Sequence, residues 1–157
     1  MDLVIAKLIM RLAKKRNCNM AVLTEKQIKY GFDYYHKDDA RPKSVVEVSE
    51  YDGEDKLIIN CTQLDGDYSA KDKKRIWMEW CSFLLENPDT FTELMFCTRM
   101  PQDLFDAVCT QRKLKKLHIK WGVYPDISKL ENLQELEYLH IGSGRSVSSL
   151  EPISKLE

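Results

Sequence analysis

The sequence predicts an α/β fold in which parallel strands stack at a fixed period, preceded by a helical N-terminal region and a β-hairpin. Three observations predict it. An apolar triplet returns every 22 or 23 residues after Phe91, a capped amphipathic helix pattern opens at Ser69, and two β-prone runs flank Asp52-Gly53. The chain has 157 residues, enough for one well-buried core and short for two.

Leu3 to Ala13 is apolar except for Lys7 and Arg11, and Lys14, Lys15 and Arg16 follow. Lys7, Arg11, Lys14 and Lys15 fall on one helical stripe, so residues 3–16 read as a basic amphipathic helix. Such a helix packs its apolar side against the strands or, as a second reading, lies on an anionic membrane. It is too short to span a bilayer, and charges inside and after the apolar run reverse the order of a secretory signal. Thr24-Glu25-Lys26-Gln27 has capping-box spacing, and Ile28, Phe32 and Tyr35 continue it as a second helix. Asp38 to Ser44, polar and containing Pro42, reads as a linker.

Val45 to Tyr51 and Lys56 to Cys61 are the two β-prone runs, and the Asp52-Gly53 pair between them is a hairpin signal. Ser69 and Asp72 then open a helix whose buried stripe is Ile76, Trp77, Trp80, Cys81 and Leu84, ended by Asn87-Pro88. From Phe91 the chain repeats itself. Phe91, Leu94 and Phe96 align with Leu114, Leu117 and Ile119, then with Leu136, Leu139 and Ile141, at offsets of 23 and 22. Leu117-His118-Ile119 recurs as Leu139-His140-Ile141, and Ile127-Ser128-Lys129-Leu130-Glu131 as Ile153-Ser154-Lys155-Leu156-Glu157. Pro101, Leu104, Phe105 and Val108 predict a helical return in the first unit, and the later returns read as shorter turns.

The L-x-x-L-x-L spacing at this period resembles the leucine-rich-repeat family, in its short irregular bacterial form, over about residues 91–157. The resemblance implies a solenoid of parallel strands, with residues 44–90 as its N-terminal cap and 1–43 as a helical N-terminal region. Arg99, Gly122 and Gly144 stand where the family carries Asn or Cys, so an asparagine ladder is not implied. Gly142-Ser143-Gly144-Arg145-Ser146 reads as a bulging loop in the third unit.

Charge and cysteines bound the function classes. The net charge is −1, divided into ten Lys/Arg against five Asp/Glu in residues 1–43 and fourteen against twenty in 44–157. Five cysteines, an odd number without a CxxC pair, indicate neither a disulfide framework nor a zinc site and fit a reduced, cytoplasmic setting. No HExxH, GxSxG or Walker signature is present, and Gly142-Ser143-Gly144-Arg145 lacks the third glycine of a dinucleotide loop. Neither a catalytic residue, a cofactor nor a metal is therefore expected.

Alternation along the repeat strands sends the residues between the leucines away from the core. That face carries Glu93, Met95 and Cys97, then Lys116, His118 and Lys120, then Tyr138 and His140. The resemblance implies that this is a concave, partner-binding face. Trp121, without an apolar equivalent in the other units, is a candidate anchor beside it. His118 over His140 suggests a shared metal or a pH-sensitive patch, but the plainer reading is two solvent-facing histidines repeated with the unit. Arg112, Lys113, Lys115, Lys116 and Lys120 form a basic run suited to an acidic protein surface, or to a solvated edge balanced by Glu131, Glu135 and Glu137. The net charge disfavours nucleic acid.

The expected function is non-catalytic protein–protein recognition. The alternative is a bacterial effector or enzyme whose repeats serve as a substrate-recognition module. The last repeat leaves Leu139, Ile141, Ile153 and Leu156 at an edge without a capping unit, which predicts either a longer repeat protein or self-association there.

Overall fold

The computed structural model describes residues 10–11, 41–142 and 146–156. Its framework is one open sheet ordered β1-β6-β5-β4-β3-β2. The strands are β1 (Met10–Arg11), β2 (Lys43–Val45), β3 (Lys56–Ile59), β4 (Glu93–Pro101), β5 (Lys116–Val123) and β6 (Tyr138–Ile141). Strands β2 to β6 run parallel, each beside the next in sequence, and β1 adds to the far edge antiparallel. Helices α1 (Ala70–Glu86) and α2 (Gln102–Val108) make the first two crossovers from β3, and 3-10 turns at Ser128–Asn132 and Glu151–Lys155 follow β5 and β6.

Local chemistry explains the helices. Ser69 caps α1 by accepting the Asp72 amide at 3.1 Å, and the Asn87 amide donates to the Phe83 carbonyl to close its far end. Ile76, Trp80 and Leu84 of α1 are buried, with Trp77 and Cys81 half-buried beside them. The Trp80 indole N–H, which burial would otherwise leave unsatisfied, donates to the Val46 carbonyl at 2.8 Å. Leu104, Phe105 and Val108 of α2 are buried in turn. Against these helices the strands present Val45, Leu57, Ile59, Leu94, Phe96, Leu117, Ile119 and Leu139, all at most 2% exposed.

The strand register is the one the apolar triplets predict. Leu94 pairs with Leu117 and Leu117 with Leu139; Met95, His118 and His140 form the adjacent column, and Glu93, Lys116 and Tyr138 the next. The strand entries also repeat. The Asp55 carbonyl accepts the Thr92 and Glu93 amides, the Thr92 carbonyl those of Lys115 and Lys116, and the Lys115 carbonyl those of Glu137 and Tyr138. Ion pairs join successive returns, Lys129 to Asp106 at 2.6 Å and Lys155 to Glu131 at 2.8 Å. Gly142 sits so close to β5 that a Cβ would overlap the Lys120 carbonyl, and Gly122 likewise meets Met100. Glycine at these two positions lets neighbouring strands approach.

Several expectations are corrected. The runs around Asp52-Gly53 do not form a hairpin: β2 and β3 are parallel, with Val45 opposite Ile59 and a 3-10 turn at Val48–Glu50 between them. Gly53 does turn the chain, with φ +98°, but the segment is held as a crossover. Lys43 Nζ donates to the Glu50 carbonyl at 2.5 Å and pairs with Asp52 and Glu54. Lys43 and Ser44 belong to β2 and not to a linker. Met10 and Arg11 are strand, not helix, because they pair with Leu139 and Tyr138 of β6. The rest of the 3–16 segment, the Thr24 helix and most of the Gly142–Ser146 loop lie outside the described residues. The edge expected to stay open is paired by β1, and Leu139, Ile153 and Leu156 are buried.

Candidate functional site

The face of the sheet turned away from α1 and α2 carries the predicted binding residues, and the structure brings six of them together as two columns. Glu93, Lys116 and Tyr138 stand abreast, as do Met95, His118 and His140. This face is not open, which corrects the sequence expectation. Glu93 is 5% exposed, Met95 5%, His118 6%, Tyr138 3% and His140 8%, and Ile58 beside Met95 is buried as well. The exposures are those of the single chain, and strand alternation, which separates the two faces, does not report burial.

The buried columns have their own order. The imidazoles of His118 and His140 stack with centroids 4.2 Å apart and planes 20° from parallel. Repetition of the unit at one strand spacing imposes that stack, since the two rings occupy one register position on neighbouring strands. Lys116 Nζ lies 3.4 Å from Glu93 Oε2, where the carboxylate is buried and the ammonium half-exposed. A paired arrangement of this kind is what burial of a carboxylate requires. Among the described residues no three His, Cys, Asp or Glu side chains cluster as a metal site.

Toward the carboxyl ends of the strands the surface opens. Lys120 is exposed, and Cys97 and Trp121 are half-buried. A register shift between Phe96 and Arg99 sets Arg99 opposite Trp121 at this end. Burial raises the Cys97 thiol pKa against the opposing pull of Arg41 and Lys120. Desolvation also pushes Cys61 and Cys81 up to about 12 and Cys109 higher, so these thiols behave as small apolar groups.

The basic run is largely neutralised. Arg112 pairs with Asp89, holding that carboxyl below its ordinary range through side-chain hydrogen bonding. Lys115 lies 4.0 Å from Glu137, and Lys116 is committed to Glu93. Among the described residues, Lys113 and Lys120 have no such carboxylate partner.

Sequence reasoning missed Gln111, which is fully buried. Its Nε2 donates to the carbonyls of Leu84 and Asn87, both at 3.0 Å. Its Oε1 accepts the amides of Thr90 at 2.9 Å and Phe91 at 3.3 Å. One amide thereby ties the end of α1 to the entry of β4. The only sequence signal was a polar residue three positions before Leu114. Among the described residues no helix is long and apolar enough to cross a membrane. No protein-family model, curated protein or solved structure matches the chain.

Proposed function

We propose that the chain is a non-catalytic protein-recognition module whose β3 to β6 units are leucine-rich repeats. The threefold recurrence of one strand entry carries the reading: a single carbonyl accepts two successive amides of the following strand at Asp55, Thr92 and Lys115. Units that repeat at this level bury their leucines only against neighbours, the logic of a solenoid. The binding surface is the accessible carboxyl-end rim of the strand face, not its buried middle. Lys120 supplies an exposed cation and Trp121 a half-buried aromatic, a combination that anchors partners with an acidic surface.

The test is capture of partners from lysate by the full chain and by the Lys120→Glu/Trp121→Ala variant, followed by affinity measurement with the captured protein. The reading expects a protein bound by the parent and weakened about tenfold or more by the variant, at unchanged melting temperature. Equal affinity for both forms contradicts the rim as the binding surface.

A further inference from the structure

A cavity of about 440 Å³ lies at the carboxyl ends of β3, β4 and β5, against the first turns of α1. The strand ends and the loops leaving them form a crevice there. Its size falls within the range typical of small-molecule sites. Among the described residues three cations line it, Lys73, Lys74 and Arg99, together with the indole of Trp77, and no carboxylate does. The ion pairs of α1 among the described residues all run through Arg75, to Glu47, Asp72 and Glu79, so Lys73 and Lys74 stand outside them.

The loop after β3 holds one wall under strain. Gln63 adopts φ +55°, a left-handed conformation that a non-glycine residue enters at a cost. Two hydrogen bonds, one from each of Thr62 and Gln63, fasten this loop against β4. The Arg99 amide donates to Gln63 Oε1 at 2.9 Å, and Thr62 Oγ1 donates to the Arg99 carbonyl at 2.6 Å. The backbone of Arg99 is thus clamped from both sides, which fixes the base from which its guanidinium projects. A sparsely populated conformation, kept by a bond from the backbone of Arg99, is a second observation pointing to the same place.

We infer that this cavity binds a small molecule carrying a phosphate on a flat ring, of the nucleoside monophosphate class. The guanidinium offers a planar fork matched to phosphate oxygens, and the two ammonium groups add point charges. Trp77 provides a flat apolar surface for the ring, a contact that tolerates any base. Pro101 and Val123 complete an apolar wall. An extended acidic peptide matches less well, because the cations gather around one compact cavity and not along a strand edge. The inference goes beyond protein recognition at the Lys120–Trp121 rim and does not rest on it.

The test titrates the full chain at low salt with the 5′-monophosphates of adenosine, guanosine, cytidine and uridine, one at a time. Binding is read by calorimetry and tryptophan emission, with inorganic phosphate, adenosine and hexaglutamate as parallel probes. At least one nucleotide should bind saturably and more tightly than either phosphate or adenosine. Arg99→Gln or Lys74→Gln, at exposed positions, should weaken it about tenfold or more, the cost of one charge-assisted phosphate contact. Trp77→Phe should retain binding and remove most of the emission change. The inference is overturned if no nucleotide binds, or if a Lys73→Gln/Lys74→Gln/Arg99→Gln variant that keeps the parent melting temperature binds as tightly as the parent. Binding of hexaglutamate in place of the nucleotides also overturns it, in favour of an acidic protein segment.

Discussion

The two faces of the sheet are both buried, yet only one of them looks like a core. The helix side is uniformly aliphatic and aromatic, from Val45 through Leu57, Leu94 and Leu117 to Leu139. The other side buries Ile58 and Met95 among Glu93, His118, Tyr138 and His140. The first face is stabilised by removing apolar surface from water, which is insensitive to orientation. The second must also satisfy its polar groups, as the Glu93–Lys116 pair does. Period-two alternation distinguishes apolar from polar positions, and it says nothing about whether the polar side meets water or the rest of its own chain.

The contrast can be tested by graded substitution. Leu117→Ala on the helix side should cost about 2–5 kcal/mol, because a fully buried leucine leaves a cavity. Urea denaturation gives the value, and a loss below about 1 kcal/mol would mean that the strand is not in this core.

Gln111→Leu removes both hydrogen-bonding ends of a buried amide and strands the backbone groups of Leu84, Asn87, Thr90 and Phe91. The expected loss is about 1–3 kcal/mol, with hydrogen exchange rising first at Thr90 and Phe91. Uniform exchange with no loss of stability would show that the α1–β4 junction does not depend on this side chain.

His118→Ala should cost about 1–2 kcal/mol by chemical denaturation if the second face is closed. A change within about 0.5 kcal/mol is what a solvent-facing histidine gives. Lys120→Glu, at the open end of the same face, should stay within that smaller range.

Alkaline pH probes the helix side through its buried thiols. Burial raises the Cys61 and Cys81 thiols from 9.0 to about 12. The folded chain therefore holds their protons more tightly than the unfolded one. Stability from this source is complete below about pH 9 and is lost as pH rises toward 12. Melting temperatures between pH 8 and 11 should fall in the parent and fall less in a Cys61→Ala variant.

Much of the fold was legible in the sequence because it rests on local chemistry. The Ser69 cap, the stripe through Ile76, Trp80 and Leu84, and the Leu94–Leu117–Leu139 register all follow from spacing. The hairpin misreading at Asp52-Gly53 has a physical cause: the pair specifies a turn, while the direction of β3 is set by Lys43 reaching the Glu50 carbonyl and by Thr92 and Glu93 donating to Asp55. The cavity was not legible, since Thr62, Lys74, Arg99 and Val123 come from four separate segments. The candidate face is legible by position and not by exposure, because no spacing rule reports burial.

Burial of the His118–His140 face is open to test by chemical labelling of those two imidazoles. Diethyl pyrocarbonate is added to the native chain and to the chain in denaturant, and peptides containing His118 and His140 are quantified by mass spectrometry over time. With both rings less than a tenth exposed and stacked on each other, both should be modified far more slowly in the native chain than in the denatured one. Modification of His118 and His140 at the denatured rate under native conditions would return this face to solvent.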